Sequence, residues 1–299
     1  MGRHSSDSSS TFRIRAPPAT IPEIHVLIPS TYSEDAAHLR EKTMRIGFLF
    51  RAMTIFRVSQ MIIYEEQPER PSKNSELIKL LCEYLSTPPY LRKKLYKLRP
   101  ELRYAGLLPP LNIPTHPPSP IPPGDAWELR EGLFERRGEL TILHAGLKKP
   151  IVLESQRRYG SRVLLLVKSQ GKKIRFKIAR RDELPYYLGT KISTHKGTLK
   201  EILKGYRYSI ATDKDGESII EVWDKLSKAL KTVKGPVCVA FGSYRRGLAE
   251  IAELQNSRLE ELFDICVNFI PYQGVRSVRT EEAVYSVLAL LNIISLCKG

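Results

Sequence analysis

Eight prolines stand between Pro109 and Pro123 in this chain of 299 residues. Because proline fixes its φ angle and has no amide N–H, neither a helix nor a central β-strand can run through such a segment. We therefore expect a stiff linker of polyproline character there. It separates stretches whose hydrophobic patterns differ, so the proline segment sets the organisation of the whole chain.

Strand-like and helix-like patterns alternate on both sides of the proline segment. Apolar, β-branched runs typical of buried strands occur at 24–30, 61–66, 236–243 and 263–271. Helices are expected at 34–56, 75–85 and 218–232, from Leu248, and at 280–297. This alternation predicts a parallel sheet with helices on its faces. We assign residues 20–108 and 191–299 to one α/β domain, and residues 1–19, which are basic and serine-rich, to a flexible tail.

The stretch 127–180 has a different pattern, in which apolar and basic residues alternate between short glycine turns. In KKIRFKIARR, for example, Ile174, Phe176 and Ile178 share one face of a strand, and basic residues occupy the other. About five such strands form a small antiparallel barrel of the size of an OB fold. We therefore predict that residues 109–190 are a proline-rich linker and an OB-like insertion within the α/β domain.

The charge of the chain points to a polyanionic partner. Lysine and arginine number 48 against 32 acidic residues, which gives a net charge of +16. A field of this sign favours RNA or DNA first and an acidic membrane surface second. Residues 118–194 carry 16 basic and 8 acidic side chains, so about a quarter of the chain holds half of the net charge. The insertion is therefore the expected nucleic-acid surface.

The cysteines and histidines form neither a metal-binding nor a disulfide pattern. Four cysteines stand far apart among apolar neighbours, no CxxC pair occurs, and the six histidines are scattered. We therefore expect no metal site, and buried, reduced thiols as in a cytoplasmic protein. No apolar run reaches the roughly 20 residues of a membrane span, and the first residues lack the apolar core of a signal peptide. We expect no membrane partner.

Two loops that follow predicted strands are rich in small residues. They are VAFGSYRRGL (239–248) and NFIPYQGVRSVRTEE (268–282), and their glycines allow the backbone to approach a ligand closely. Open α/β sheets bind ligands at the carboxyl ends of their strands. Neither GxGxxG nor GxxxxGK[ST] occurs, so the dinucleotide and P-loop signatures are absent. The helix after the second loop is apolar on nearly every side, which predicts burial in a core, a subunit interface or both.

The end of the chain, IPYQGVRSVRTEEAVYSVLALLN (270–292), resembles the carboxy-terminal segment of the SPOUT superfamily of RNA methyltransferases. Three other stretches resemble the archaeal and eukaryotic branch described as RNA uridine-N3 methyltransferases with an OB-like insertion. They are GFLFRAMTIFRVSQMIIY (47–64), RYAGLLPPLNIPTHP (103–117) and WELREGLF (127–134). The chain departs from this branch at Thr115-His116, where relatives often have two histidines, and at Leu203-Lys204, where they often have Tyr-Trp. These departures concern RNA specificity rather than the fold.

The resemblance implies a parallel α/β sheet whose end is tied in a deep trefoil knot, with S-adenosyl-L-methionine bound in that knot. It also implies a homodimer with active sites at the subunit contact, and methyl transfer to N3 of a uridine in ribosomal RNA. The implied cofactor contacts lie in the two glycine-bearing loops: Phe241, Gly242, Ser243, Asn268, Ile270, Pro271, Gln273, Gly274, Val278 and Thr280.

The implied reaction requires uridine N3 to lose its proton, after which negative charge spreads to O2 and O4. A fixed cation at those oxygens would stabilise that charge. Arg51 is the first candidate, because its place in FLFRAMTIFRV resembles that of a helix-borne catalytic arginine in related SPOUT enzymes. A phosphate contact or an ion pair on a helix is its alternative role. Arg279 is the second catalytic candidate, and the sequence identifies no general base.

The expected RNA-binding residues are basic side chains of the insertion, together with one arginine of the last loop. They are Arg136, Arg137, Arg157, Arg158, Lys172, Lys173, Arg175, Lys177 and Arg276. Because aromatic residues are sparse in the insertion, phosphate contacts should outweigh base stacking.

Two other functions fit the same residues. A non-catalytic RNA-binding assembly factor could retain the knot, and a SPOUT methyltransferase could act on a ribose 2′-hydroxyl or another base nitrogen. RNA-dependent methyl incorporation separates the first alternative from an enzyme, and nucleoside analysis separates the second.

Overall fold

The computed structural model describes residues 22–153 and 162–296. The expected tail over 1–19 therefore lies outside the described residues. The described chain forms two compact units, the larger from 22–87, 92–111 and 187–296, and the smaller from 88–91, 112–153 and 162–186.

Helices stand between the strands of the larger unit, whereas the five strands of the smaller unit follow one another without an α-helix between them. The strands are Ile24–Pro29 (β1), Gln60–Tyr64 (β2), Glu128–Arg137 (β3), Leu140–His144 (β4), Ile151–Leu153 (β5), Arg162–Gln170 (β6), Lys173–Ala179 (β7), Lys191–His195 (β8), Ser209–Ser218 (β9), Val237–Ala240 (β10) and Ile265–Asn268 (β11). The helices are Leu39–Ile55 (α1), Asn74–Ser86 (α2), Pro89–Leu95 (α3), Leu199–Leu203 (α4), Ile219–Thr232 (α5), Leu248–Leu254 (α6), Leu259–Leu262 (α7) and Thr280–Leu296 (α8). None of the helices in the described ranges combines the length and the apolar character that a membrane crossing requires.

The larger unit contains the predicted parallel sheet. Its six strands stand in the order β11-β9-β10-β1-β2-β8, and every neighbouring pair is parallel. From β1 the chain continues to β2 on one side, whereas from β10 it continues to β11 on the other. The carboxyl ends of β1 and β10 therefore form the topological switch point, where a sheet of this kind binds its ligand.

Both faces of the sheet are buried. On one face Leu27, Ile62 and Cys238 pack against helices α4, α6 and α7 in a single apolar cluster. Side chains of a strand alternate between the faces, so the equally buried Val26 and Ile28 point to the opposite side. That side is covered by α1, α2, α5 and α8, which contact one another there.

The smaller unit is an antiparallel sheet of five strands in the order β5-β4-β3-β6-β7. Its apolar core contains Leu143, Leu165 and Val167, with Phe134 and Phe176 packed against them. Within the described residues β5 and β7 stand at the two edges of the sheet. A closed, OB-like barrel therefore stays a prediction, while the antiparallel sheet is confirmed.

Two features of the larger unit differ from the sequence prediction. Helix α1 begins at Leu39, five residues later than expected, because the backbone of Ser33 has a φ of 65° and the chain turns there. Strands β8 and β9 were not predicted. Both are polar, since KISTH and SIATDKDGES lack the continuous apolar run of a buried strand.

Candidate functional site

A cavity of about 260 Å³ opens beside the middle of β9 and at the carboxyl ends of β10 and β11. Its wall comes from residues 212–214 of β9, the loop that follows β10, and the segment from β11 to the first turn of α8. The cavity therefore adjoins the switch point of the sheet, where the connections of neighbouring strands diverge.

The loop after β10 is a tight turn that depends on glycine. The amide N–H of Ser243 donates to the carbonyl oxygen of Arg246 at 2.9 Å, and the N–H of Arg246 donates to Ser243 Oγ at 3.2 Å. A Cβ on Gly242 would lie only 2.8 Å from that same carbonyl oxygen. The hydroxyl of Tyr64 fixes the start of the turn by donating to the carbonyl oxygen of Phe241 at 2.8 Å. The turn thus presents backbone to the cavity without a side chain in between.

The segment after β11 is held by its own polar side chains. Asn268 accepts the N–H of Ile270 through Oδ1 at 3.0 Å and donates through Nδ2 to the carbonyl oxygen of Lys214 at 2.8 Å. The amide of Gln273 donates to the carbonyl oxygen of Val275 at 2.9 Å. Next to it, Tyr272 has a φ of 58° and is 97% exposed, so the loop holds an aromatic ring in solvent in a conformation that costs an L-residue free energy.

The first turn of α8 closes the cavity and is anchored in two directions. Thr280 donates through Oγ1 to the carbonyl oxygen of Gly242 at 3.2 Å. The neighbouring Glu281 accepts from the buried Arg45 of α1 at 2.9 Å, and Arg45 also contacts Asp35 at 2.7 Å. Burial alone lowers the pKa of Arg45, but the hydrogen bond that Arg45 donates to Asp35 and the charge of Glu281 outweigh it, so its pKa is raised above the usual value. Arg45 is therefore a permanent positive charge that fixes the beginning of α8.

The structure brings most of the predicted cofactor residues together around this cavity. Eight of the ten line it: Phe241, Gly242, Ser243, Asn268, Ile270, Gln273, Val278 and Thr280. Pro271 and Gly274 belong to the same loop but are not part of the lining. Arg276, predicted to hold RNA, also lines the cavity.

The two predicted catalytic arginines lie outside the lining of this cavity. Arg51 is on α1 and donates to the carbonyl oxygen of Pro110. Arg279 is exposed just before α8, and its backbone N–H donates to Glu282 at 3.0 Å. Within one chain neither guanidinium belongs to the cavity wall, and a catalytic role for either stays a prediction.

Sequence reasoning did not single out Arg246, a cation that is anchored in the wall of the cavity. Arg246 lines the cavity, and its Nη1 lies 3.0 Å from Oε2 of Glu66, whose side chain is 3% exposed. The second oxygen of Glu66 accepts the hydroxyl of Thr31. Because Glu66 is held from two sides, it fixes the guanidinium at the rim. Arg246 belongs to the loop VAFGSYRRGL, which the sequence indicated as a ligand-binding loop without indicating a role for this arginine.

Charged residues of the lining are mostly positive. Lys214, Arg245, Arg246 and Arg276 are basic, and Asp213 is the one carboxylate that the described wall contains. In the described ranges no group of three or more histidines, cysteines and carboxylates is arranged for a metal ion. The site therefore suits an anionic or polar organic ligand.

The basic residues predicted for the insertion form a row on the smaller unit. Lys173, Arg175 and Lys177 share one face of β7 and are exposed, and Lys168 of β6 pairs with Arg175 on that face. Lys177 Nζ lies 5.5 Å from the centre of the Trp127 ring, within cation–π distance.

The remaining predicted RNA contacts are in a turn, at the end of β3 or beyond the described residues. Lys172 is exposed in the turn between β6 and β7. Arg136 is exposed near the end of β3, and Arg137 of the same strand pairs with Glu135 at 2.8 Å. Arg157 and Arg158 lie outside the described residues. Lys168 was missed because its contribution depends on the pairing of β6 with β7.

Comparisons with known proteins agree with this arrangement. A family described as "Putative RNA methyltransferase" matches residues 23–291. An uncharacterised protein of Halobacterium salinarum is 30% identical over 90% of this chain and 98% of its own length. The human 28S rRNA (uridine-N(3))-methyltransferase is 27% identical over 90% of this chain and 77% of its own, and the Drosophila melanogaster enzyme of the same name is 25% identical over 90% and 61%. The match spans both units and every element of the cavity, and the chain therefore belongs to this RNA methyltransferase family.

Proposed function

We propose that this protein transfers a methyl group from S-adenosyl-L-methionine to N3 of a uridine in ribosomal RNA, and that the cavity between 241–247 and 267–280 holds the donor. The observation that carries the proposal is the backbone-lined turn at Gly242 beside a wall of positive charge. The names of the human and Drosophila relatives support uridine N3 as the acceptor.

The residues of the cavity fit the proposed donor. The backbone of the Gly242 turn can exchange hydrogen bonds with an adenine edge, and Phe241, Ile270 and Val278 offer apolar contact to its faces. Arg245 and Arg276 can balance the carboxylate of the methionine part. When bound, the donor supplies an electrophilic methyl group on a sulfonium, so the protein mainly has to hold it in line with the acceptor nitrogen.

The chain end is proposed to be knotted. In support, Thr280 returns to the Gly242 turn, and α8 packs between α1 and α5. Such threading is very rare in proteins. We also propose that the antiparallel sheet is an OB-like RNA-binding module whose basic row of Lys168, Lys173, Arg175 and Lys177 contacts phosphates.

A homodimer is the second part of the proposal. Helix α1 has a stripe of exposed apolar side chains, Met44, Phe48 and Ile55, which are 37%, 48% and 50% exposed. Arg51 falls on the same stripe, since residues 3, 4 and 7 positions apart share a helix face. If a second copy covers this stripe, Arg51 approaches the partner chain, which is how it would reach an active site.

The dimer is tested with one charged substitution and a matched control. Phe48→Asp should convert the protein to monomers in analytical ultracentrifugation, because it buries a charge in the contact. Ile220→Asp, on the 70% exposed Ile220 of α5, should leave the association state unchanged. Equal sedimentation of the two variants and the wild type would contradict this contact.

The activity is tested by incubating the purified protein with ribosomal RNA and isotopically labelled donor, followed by nucleoside mass spectrometry. The expected product is N3-methyluridine. Label in 2′-O-methylated nucleosides or in another base would move the acceptor, and RNA binding without any incorporation would favour a non-catalytic assembly factor.

A further inference from the structure

One carboxylate stands in the otherwise positive wall of the cavity. Asp213 lies in the middle of β9 and is partly buried. A Cβ placed on Gly247, across the cavity wall, would lie 3.1 Å from its Oδ2. This oxygen is therefore directed to the Arg246–Gly247 side of the cavity and has free approach only because residue 247 is glycine.

The backbone around Asp213 leaves the sheet at this point. Ala211 of β9 pairs with Cys266 of β11, but the next pair joins Glu217 to Val267, so residues 212–216 form an excursion from the ladder. Bulges of this kind are frequent beside active sites, where they redirect a side chain. The excursion is what turns the carboxylate into the cavity instead of onto a face of the sheet.

Three hydrogen bonds fix the excursion. Thr212 donates through Oγ1 to the carbonyl oxygen of Ala240 at 2.8 Å, and Asn268 donates to the carbonyl oxygen of Lys214 at 2.8 Å. The N–H of Asp215 donates to Oδ1 of Asp213 at 3.1 Å. Oδ1 of Asp213 thus accepts a hydrogen bond from the backbone, and within the described part of the chain we find no hydrogen bond to Oδ2.

We propose that Asp213 is the general base of the reaction, an assignment that rests on the proposed function above. The N3–H bond of the uridine breaks and its proton passes to Oδ2 of Asp213, while the N3 electron pair forms the new bond to the methyl carbon. The electron pair of the carbon–sulfur bond stays on sulfur, so a cationic sulfonium becomes a neutral thioether. Asp213 becomes neutral, and the charges balance before it returns the proton to water.

The cations around Asp213 suit this role. Removal of the N3 proton leaves negative charge on O2 and O4 of the base, and a fixed guanidinium stabilises such charge with little reorganisation. Arg246 is fixed at the same rim by the buried Glu66. A carboxylate acceptor and an anchored cation therefore face the same space from β9 and from the loop after β10.

The experiment compares Asp213→Asn with Asp215→Asn, a matched control in the same excursion whose side chain is 81% exposed. Single-turnover methylation should be about 10²–10⁴-fold slower for Asp213→Asn and unchanged for Asp215→Asn. Asp213→Glu keeps a carboxylate and should retain more activity than the asparagine variant.

Two further measurements distinguish proton transfer from a structural effect. The N3 of 5-fluorouridine is more acidic than that of uridine, so a weaker base suffices. In RNA containing 5-fluorouridine, the loss of single-turnover rate caused by Asp213→Asn should therefore be smaller by at least about tenfold. Calorimetry should give affinities of Asp213→Asn for S-adenosylhomocysteine and for RNA within about twofold of the wild type, which also reports an intact cavity.

Three results would overturn the assignment. If the wild type is active and Asp213→Asn is equally active, Asp213 is not the general base, while the proposed function stands. A loss of S-adenosylhomocysteine affinity that matches the loss of rate makes Asp213 a donor-binding residue instead. A wild type that methylates neither uridine nor 5-fluorouridine overturns the proposed function together with its base.

Discussion

Replacing Gly242 by alanine adds one methyl group at a crowded point of the cavity wall. The new Cβ would lie 2.8 Å from the carbonyl oxygen of Arg246 and 3.2 Å from two backbone atoms of Gly247. These atoms belong to the backbone and cannot rotate away, so the turn must open. Overpacking of this kind costs about 1–3 kcal/mol. Opening the turn also strains the 2.9 Å hydrogen bond from Ser243 to Arg246, a contact worth about 0.5–1.5 kcal/mol.

The cost should appear in ligand binding, because the proposed donor requires the closed turn. Since about 1.4 kcal/mol corresponds to a tenfold change in affinity, a cost of about 1–3 kcal/mol weakens S-adenosylhomocysteine binding roughly 5- to 150-fold. Gly242→Val should abolish measurable binding. Isothermal titration calorimetry measures both, with Gly106→Ala as the control, because Gly106 lies outside the cavity lining and a Cβ on it meets no atom within 4 Å. If Gly242→Ala and Gly106→Ala both bind with the wild-type affinity, the turn is not part of the donor site.

Three other predictions concern different parts of the molecule. Glu66→Ala should lower the free energy of unfolding in urea by about 1–3 kcal/mol, because the guanidinium of Arg246 loses its buried partner; an unchanged urea midpoint would argue against this anchoring role. Arg175→Ala should weaken RNA binding and reduce the slope of log K against log salt by about 0.7–0.9, the value for one phosphate contact, whereas Lys231→Ala on α5 should leave the slope unchanged. The pKa of His25 is lowered from 6.5 by burial, with the Glu23 charge acting in the opposite direction, so the unfolded chain takes up the proton first as pH falls. Thermal stability should therefore decrease as pH falls below about 6.5, and His25→Gln should flatten that part of the profile; the same decrease in both proteins would exclude His25 as its source.

The parallel sheet could be predicted from the sequence because its evidence is local. The runs at 24–30, 236–243 and 263–271 are continuous and apolar, and a strand covered on both faces requires that composition. The segments between them have helical periodicity, and the eight prolines mark where a different pattern begins. The two small-residue loops were found for the same reason, since each directly follows such a strand.

The candidate site could be predicted only in part from such local patterns. Eight of the ten predicted cofactor residues line one cavity. Asp213, however, belongs to β9, a polar strand without a local signal, and the direction of its side chain depends on the excursion opposite β11. The anchoring of Arg246 depends on Glu66, which is 180 positions away in the chain. No spacing within a loop can indicate that such a partner will be close.

The sequence by itself determined the alternation of strands and helices, the antiparallel segment beyond the prolines and the positions of the glycine turns. These follow from side-chain periodicity and backbone freedom, which act within a few residues. Only the tertiary structure decided which strands are neighbours, which polar strands complete the sheet and which charges meet at its carboxyl edge. Those outcomes depend on hydrogen-bond register and on burial against distant segments, and a carboxylate such as Asp213 acquires its surroundings only when β9, β10 and β11 have come together.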